Sequence, residues 1–422
     1  MRLSRVSESE YSEYIDTQSR VFYTQLPGYG ATRRAEGYTV DYVGMRRDNG
    51  VLVGVALLVF QPWKKLFHRV TVPYGPVLDW SDAGLVTEFL SGLVAYLRRD
   101  PRTLSIRVNP PVLARSYEDI TPGDVNPDVA VLEAAVTALN GVHVDREFYD
   151  SSDIQVRFSY TKDIEGMTYK QVASSVAQGA RTGFNKLGTN GVEVRFLEAD
   201  QFDVLERVLG HTAQRTDMHE ISSGASKFYR DLKEHLGQDV MAPVAVLDCV
   251  KALKTIAEER EQVQAQITEI EELEAKMEAE GKVLNKKRRN ALKEHRDRIG
   301  VLERRENDTL AVQKDHGDEV VLAASLFVHS PGELVYLLSG AYDEFQSYYG
   351  IYLIHRTMLE WCLENQVGTY NLYGITGDFS DTASDHGVLQ FKRQFGGNVE
   401  ELVGTYDLPV HAFLAKRLGA LG

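Results

Sequence analysis

LVYLLSGAYDEFQSYYGIYLIHRTMLEWCLENQVGTYNLYGITGDFSDTASDHGVLQFKRQFGG, residues 334–397, carries the reading of the fold. Leu334–Leu338 reads as a strand, a long helix follows from about Tyr348 to Glu364, and Tyr370–Tyr373 is a second strand. Strand, helix, strand is the repeating unit of an α/β layer. Gly374 and Gly377 then break the backbone, and a polar loop follows with three acids, Asp378, Asp381 and Asp385. A short amphipathic helix carries Phe391 and Lys392 side by side, ahead of a second glycine pair. Small residues before a helix let a substrate approach the backbone closely. Phe391 offers a flat wall there and Lys392 a mobile positive charge. Taken alone, a Phe-Lys pair reads as an ordinary helix surface, since most lysines are solvated. The rest of the chain shifts that balance.

Working outward, Val51–Phe60 and Arg69–Pro73 read as strands, Gly84–Arg98 as a helix of period near 3.6, and Leu104–Val108 as a strand. NPDVAVLEAAVTALNG, from Asn126, has an N-cap, a first-turn proline and a glycine stop. A second mixed unit starts near Asp153–Tyr160, with a helix over Thr168–Leu187 and a strand at Val192–Phe196. Helices at about 201–213 and 223–236 precede strands Val244–Cys249 and Glu319–Val328. Strands and helices mixed in this way predict two similar α/β layers in series.

Between about 250 and 308 the character changes. Ile256, Val263, Ile267, Ile270 and Met277 keep a 3–4 spacing among helix formers, Gly281 interrupts, and Leu284, Ala291, His295, Ile299 and Leu302 form a returning stripe. Two such helices make an antiparallel hairpin about 40 Å long. The first arm is mostly acidic and the second mostly basic, so they attract across the seam. One apolar stripe cannot bury both faces, so the hairpin projects. Lys286, Lys287, Arg288 and Arg289 lie one turn past its tip. They read as a solvated arm or as a contact for a polyanion bound through counterion release.

With 422 residues the chain exceeds one ordinary core, and 43% apolar residues favour a globular protein over disorder. Two cysteines, Cys249 and Cys362, make no disulfide framework and match no metal spacing, which points to buried thiols in a cytosolic protein. The polar MRLSRVSESEYSEYI lacks a signal-peptide core, and the most apolar run, VLVGVALLVF at 51–60, is half a membrane span. A net charge of −14 argues against nucleic-acid binding over the whole surface but leaves room for a local basic patch. No Walker loop, GxGxxG after a strand, HExxH or GxSxG is present, and His211 with His219 suits no common zinc site, so no metal is expected. AQGARTGFNK at 177–186 is a weak pyrophosphate-loop candidate.

Four stretches together resemble the Fem family, transferases that use aminoacyl-tRNA to build the side branches of peptidoglycan precursors. They are TQLPGYGATRR at 24–34, FNKLGTNGVEVRFL at 184–197, VYLLSGAYDEFQSYYGIYLIHRTMLEWCLENQVGTYNLYGI at 335–375, and GVLQFKRQFGG followed by ELVGTYDLPV. The resemblance implies an α/β (α+β) fold of two tandem GNAT-like (acyl-CoA N-acyltransferase) domains with an inserted antiparallel coiled-coil arm. The domains are expected at 1–155, completed by about 400–422, and at 156–399, with the arm at 250–308. It implies Lys392 and Phe391 at the acyl-transfer site, and Arg33 where the family has a lysine on the diphosphate of the nucleotide-sugar substrate. Phe228 and Tyr229 match an aromatic pair. Gly224 falls where the family has an arginine, so Arg215 or Arg230 is the candidate second phosphate contact. Leu338 stands for a substrate-facing tyrosine, with Tyr336 two residues back on the same strand face, and Asn109 for an aspartate. The arm cations Lys286, Lys287, Arg288 and Arg289 become candidates for tRNA.

The implied partners are charged tRNA, as co-substrate with no cofactor, and a peptidoglycan precursor, lipid II or UDP-MurNAc-pentapeptide. The implied location is cytoplasmic, with contact at the inner membrane face left open. Two readings compete on the same residues: an acyl-CoA-dependent N-acyltransferase, and a non-catalytic coiled-coil scaffold.

Overall fold

The computed structural model describes every residue except 145–147, 149–154, 189–190 and 217–222, and leaves aside the side chains of 214–216, 223 and 224. Two sheets organise it. The first runs Arg2–Arg5, Thr39–Arg46, Leu52–Trp63, Phe67–Val72, Thr103–Val108, Thr405–Pro409 and Val142–Val144, with Val77–Leu78 beside the third strand. The second runs Val192–Phe196, Pro243–Asp248, Glu319–Ser330, Glu333–Ala341, Thr369–Ile375, Phe158–Asp163, Asn398–Leu402, Leu113–Glu118 and Thr121–Val125, with Val240–Met241 beside the third. Among the described residues each sheet has one parallel pair, Phe67–Val72 with Thr103–Val108 and Glu333–Ala341 with Thr369–Ile375.

The sheets exchange chain. Leu113–Val125 leaves the first unit as a hairpin that extends the second sheet, and Thr405–Pro409 returns from the second unit to pair with Thr103–Val108. One core cluster spans both units, from Tyr11, Tyr23, Tyr29 and Leu57 to Leu205, Leu232, Leu326 and Val335. Arg20 ties them electrostatically, with Nη2 2.9 Å from Glu333 and Nη1 2.8 Å from Glu400. Glu333 is fully buried, and burial raises its pKa while Arg20 opposes the rise.

The arm is longer than expected. Its helices are Cys249–Ala279 and Lys286–His316, each of 31 residues and so about 46 Å. Ile256, Val263, Ile267, Leu292 and Leu302 fill the seam, flanked by Ile270 and Ile299, so Leu292 takes the place expected for Ala291. Arg298 and Arg305 reach Glu259, and Arg296 reaches Glu271 at 2.7 Å, in keeping with attraction between the arms. The arm springs from neighbouring paired strands, Asp248 lying opposite Glu319.

Two other expectations change, and one hairpin was not expected. The helix expected over 168–187 is two, Tyr169–Ser175 and Gln178–Phe184. Val176 between them is extended, and Ala177 N donates 2.8 Å to Gln394 O, a tertiary bond that competes with helix continuation. The hairpin at 113–125 is mostly exposed and lacks the apolar alternation that marks a strand in sequence. Glu333–Ala341 carries a bulge, since Leu326 pairs with Leu338 while Phe327 pairs with Tyr336. Tyr336 therefore packs in the second unit's core and Leu338 in the shared cluster, on opposite faces.

Candidate active site

The helix Pro27–Ala35 follows Thr24 and Gln25, whose side chains both donate to Pro73 O at 2.8 Å, while Gln25 Oε1 accepts from Leu57 N at 3.0 Å. These side chains hold the helix against the first sheet. Gly28 permits close packing, because a Cβ there would lie 2.7 Å from Leu236 Cγ and 2.8 Å from His235 O. The helix thereby delivers Tyr29 and Arg33 to a cavity of 510 Å3, whose other walls include Trp63, Arg69, Arg107 and Asn109. Three guanidinium groups meet there. Arg33 pairs with Glu36 at 2.6 Å and lies over Tyr38. Arg107 grips Asp407 bidentately at 2.7 and 2.8 Å, and Arg69 lies 4.5 Å from the Trp63 ring centroid while largely buried. Asn109 donates through Nδ2 to Thr405 Oγ1 at 2.7 Å. A cavity of this size with three guanidinium groups, two of them paired with carboxylates, and an indole wall suits a polar ligand with a flat portion.

Lys392 lies where the parallel strands part. Their pairing covers Glu333–Val335 and Thr369–Asn371, and beyond it Tyr373 O and Gly374 O accept from Lys392 Nζ, the first at 3.1 Å. Carbonyls released from the ladder need donors, and the lysine supplies them. The side chain is 5% exposed, so it is a pinned ammonium and not a mobile one. Burial pushes its pKa down to about 7, with the Asp385 carboxylate pulling upward. Asp385 itself clamps the loop, accepting from Thr376 N at 2.7 Å and Thr376 Oγ1 at 2.6 Å, and Asp378 accepts from Ser380 N.

Phe391 packs on His355, ring centroids 5.5 Å apart, a residue that the sequence reading missed. His355 is fully buried between Tyr336 at 4.5 Å and Phe395 at 4.3 Å, and its Nδ1 is 2.7 Å from the Tyr370 hydroxyl. Burial, with the Lys392 charge adding to it, lowers its pKa to about 3, so the imidazole is neutral. A histidine inside the apolar run of Gly350–Glu364 was the available signal.

Aromatic contacts connect the lysine to the cavity. Tyr373, whose carbonyl holds Lys392, has φ 63, and its side chain interacts with that of the buried Tyr23. Tyr23 meets Tyr29 edge-on at 6.1 Å, and Tyr29 meets Phe228 at 6.4 Å, with Tyr229 next to it. A left-handed aromatic residue is strained by about 1–3 kcal/mol, a feature that collects at functional sites.

The structure therefore gathers Arg33, Asn109, Phe228 and Tyr229 at or beside the cavity, and Phe391, Lys392 and Tyr336 at the end of the parallel pair. Leu338 belongs with the first group by its packing. Arg230 is committed to Glu206 and Ala199 O, and the side chain of Arg215 lies outside the described residues, as does His219. Lys286, Lys287, Arg288 and Arg289 are all exposed in the first turn of their helix. Gly183 in AQGARTGFNK is a packing glycine, since a Cβ there would lie 2.6 Å from Tyr352 Cβ.

Residues 6–421 match the FemAB family. "Aminoacyltransferase FemA" of Staphylococcus epidermidis is 24% identical over 416 residues, 97% of this chain and 96% of that protein. "Aminoacyltransferase FemA" of Staphylococcus aureus is 23% identical over 414 residues, with the same coverage. The crystal structure of FemX superposes with a TM-score of 0.83 at 18% identity, covering 99% of both chains, which shows the shared fold. By this match along nearly its whole length, the chain belongs to the FemAB family, a family of aminoacyltransferases.

Proposed function

We propose that the chain transfers an amino acid from aminoacyl-tRNA to the stem-peptide amine of a peptidoglycan precursor, lipid II or UDP-MurNAc-pentapeptide, at the inner face of the cytoplasmic membrane. The observation that carries the reading is Lys392, a buried ammonium with a pKa near neutrality at the mouth of a parted strand pair. The amine nitrogen attacks the ester carbonyl, giving a tetrahedral oxyanion. The bond to the ribose 3′ oxygen then breaks as the amide forms; the amine loses a proton and the ribose oxygen gains one. The ester is already activated, so neither a covalent enzyme intermediate nor a cofactor is needed.

Lys392 supports the step as a cation beside the developing negative charge and as a proton source for the departing oxygen. Phe391 walls the channel for the terminal adenosine and keeps water from the ester. Holding amine and ester in a near-attack geometry contributes about 7–11 kcal/mol at best. Arg33 and Arg69 provide the anion site for the precursor's diphosphate, with Arg107 held in the wall by Asp407. Lys286–Arg289 supply a distal contact for tRNA. No helix among the described residues is long and apolar enough to cross a membrane.

Incubation with a mixture of charged tRNAs and both acceptors, followed by mass spectrometry, tests this. An aminoacylated precursor is expected. Acyl transfer from acyl-CoA with none from tRNA would overturn it.

A further inference from the structure

One corner of the first sheet combines exposed apolar side chains with unpaired cations. The connection between Leu52–Trp63 and Phe67–Val72 is Lys64, Lys65 and Leu66, with φ 45 at Lys64 and φ 64 at Lys65. Two consecutive left-handed lysines are a strained choice where glycine or asparagine would serve. They hold Leu66 out, 73% exposed. Beside the turn lies the helix Ala412–Arg417, joined to it by Trp63 Nε1, which donates to Leu418 O at 3.1 Å, and by the packing of Trp63 and Phe67 with Leu414, Leu418 and Leu421. Phe413 on that helix is 74% exposed, and Lys416 and Arg417, three and four residues on, share its face.

The charge balance is one-sided. In a chain of net charge −14, no acidic side chain occurs between Val51 and Leu78 or between Leu408 and Gly422. Lys64, Lys65, Lys416 and Arg417 are exposed and enter no ion pair among the described residues. The same two segments supply Trp63, Gly419 and Gly422 to the wall of the 510 Å3 cavity.

We propose that the turn 64–66 and the helix Ala412–Arg417 form a docking rim that seats the cavity mouth on an anionic lipid bilayer. Leu66 and Phe413 enter the boundary of the acyl chains, and the four cations lie at headgroup level. A nucleic acid would satisfy the cations but leave Leu66 in water, so the bilayer is the better fit. Taken together with the acceptor reading of the cavity, on which this step rests, the rim lets a membrane-anchored acceptor reach the cavity without leaving its bilayer.

Co-sedimentation of the full chain with phosphatidylcholine vesicles, and with vesicles containing phosphatidylglycerol, tests the docking directly. The wild type is expected to partition onto the anionic vesicles, more weakly as salt rises. Lys64→Gln, Lys65→Gln, Lys416→Gln and Arg417→Gln should each lower partitioning about five-fold. Leu66→Ser with Phe413→Ser should lower it further at any salt, while transfer to a soluble nucleotide-linked acceptor stays unchanged. Equal sedimentation of wild type and variants, no binding by the wild type, or a loss confined to tRNA affinity would each overturn the rim. Vesicle binding without aminoacyl transfer to either acceptor would leave the rim standing and remove the proposed function instead.

Discussion

Lys392 is unusual among lysines because its ammonium replaces the hydrogen bonds of a missing strand partner. Its pKa falls from an ordinary 10.5 to about 7 through burial. Below pH 7 it is charged in both the folded and the unfolded chain, and folding bears the full penalty of burying that charge. Between about 7 and 10.5 the folded state has shed the proton and the unfolded state has not, so raising the pH stabilises the fold. The wild type should therefore gain roughly 2–5 kcal/mol relative to Lys392→Met over that range, read as urea midpoints at pH 7 and pH 10. Turnover by Lys392→Met should fall to a small remainder while precursor affinity is kept. A wild-type rate in that variant would remove the lysine from the chemistry. Sequence pointed to Phe391 and Lys392 as a pair, but a Phe-Lys dipeptide carries no record of burial. The bulge near Leu337 was equally hidden, because one extra residue in a strand reverses every later side chain without altering composition.

Among the elements, the long periodic ones were legible. The arm and the helix Gly350–Glu364 have enough turns for their apolar spacing to be unambiguous. Short or solvated elements were not, as with the polar hairpin Leu113–Val125 and the break at Val176, where a distant carbonyl outbids the helix. Gly191 shows how strictly local geometry can be set. Its φ is +76, and a Cβ would sit 2.4 Å from Ala252 Cβ, at the root of the arm. Gly191→Ala should lose about 2–5 kcal/mol of stability by denaturant unfolding. At the arm's far end the first turn of Lys286–His316 carries four cations and no acid, against the helix dipole. That placement does not serve helix stability. Replacing Lys286–Arg289 by glutamine should preserve helicity and weaken tRNA binding, with a shallower salt dependence. Unchanged tRNA affinity at low salt would return the cluster to a solvating role.

For the molecule as a whole, the two sheets are joined by exchanged strands, a shared apolar cluster and the buried carboxylate of Glu333 held by Arg20. Removing one partner from such a pair strands the other's charge. Arg20→Met should cost about 3–5 kcal/mol at pH 7. Because the orphaned Glu333 would be protonated more easily than in the unfolded chain, the loss should shrink as the pH falls toward 5, measurable as melting temperature against pH. Two α/β layers and an inserted arm were readable from the order of elements. The cavity between Arg33 and Asn109 was only half readable, since Arg69 and Trp63 are ordinary strand residues until folding brings them together.

The root of the arm has one more consequence. Because Asp248 and Glu319 already face each other across a ladder, the projection behaves as a ruler fixed at one end. Excising one matched heptad from each helix would leave the base untouched and draw the tip inward by about 10 Å. If the tip cations hold tRNA as proposed, a graded series of such truncations would separate the charge at the tip from the distance at which it is held, with transfer expected to fail once the tip no longer reaches the tRNA even though every cation remains.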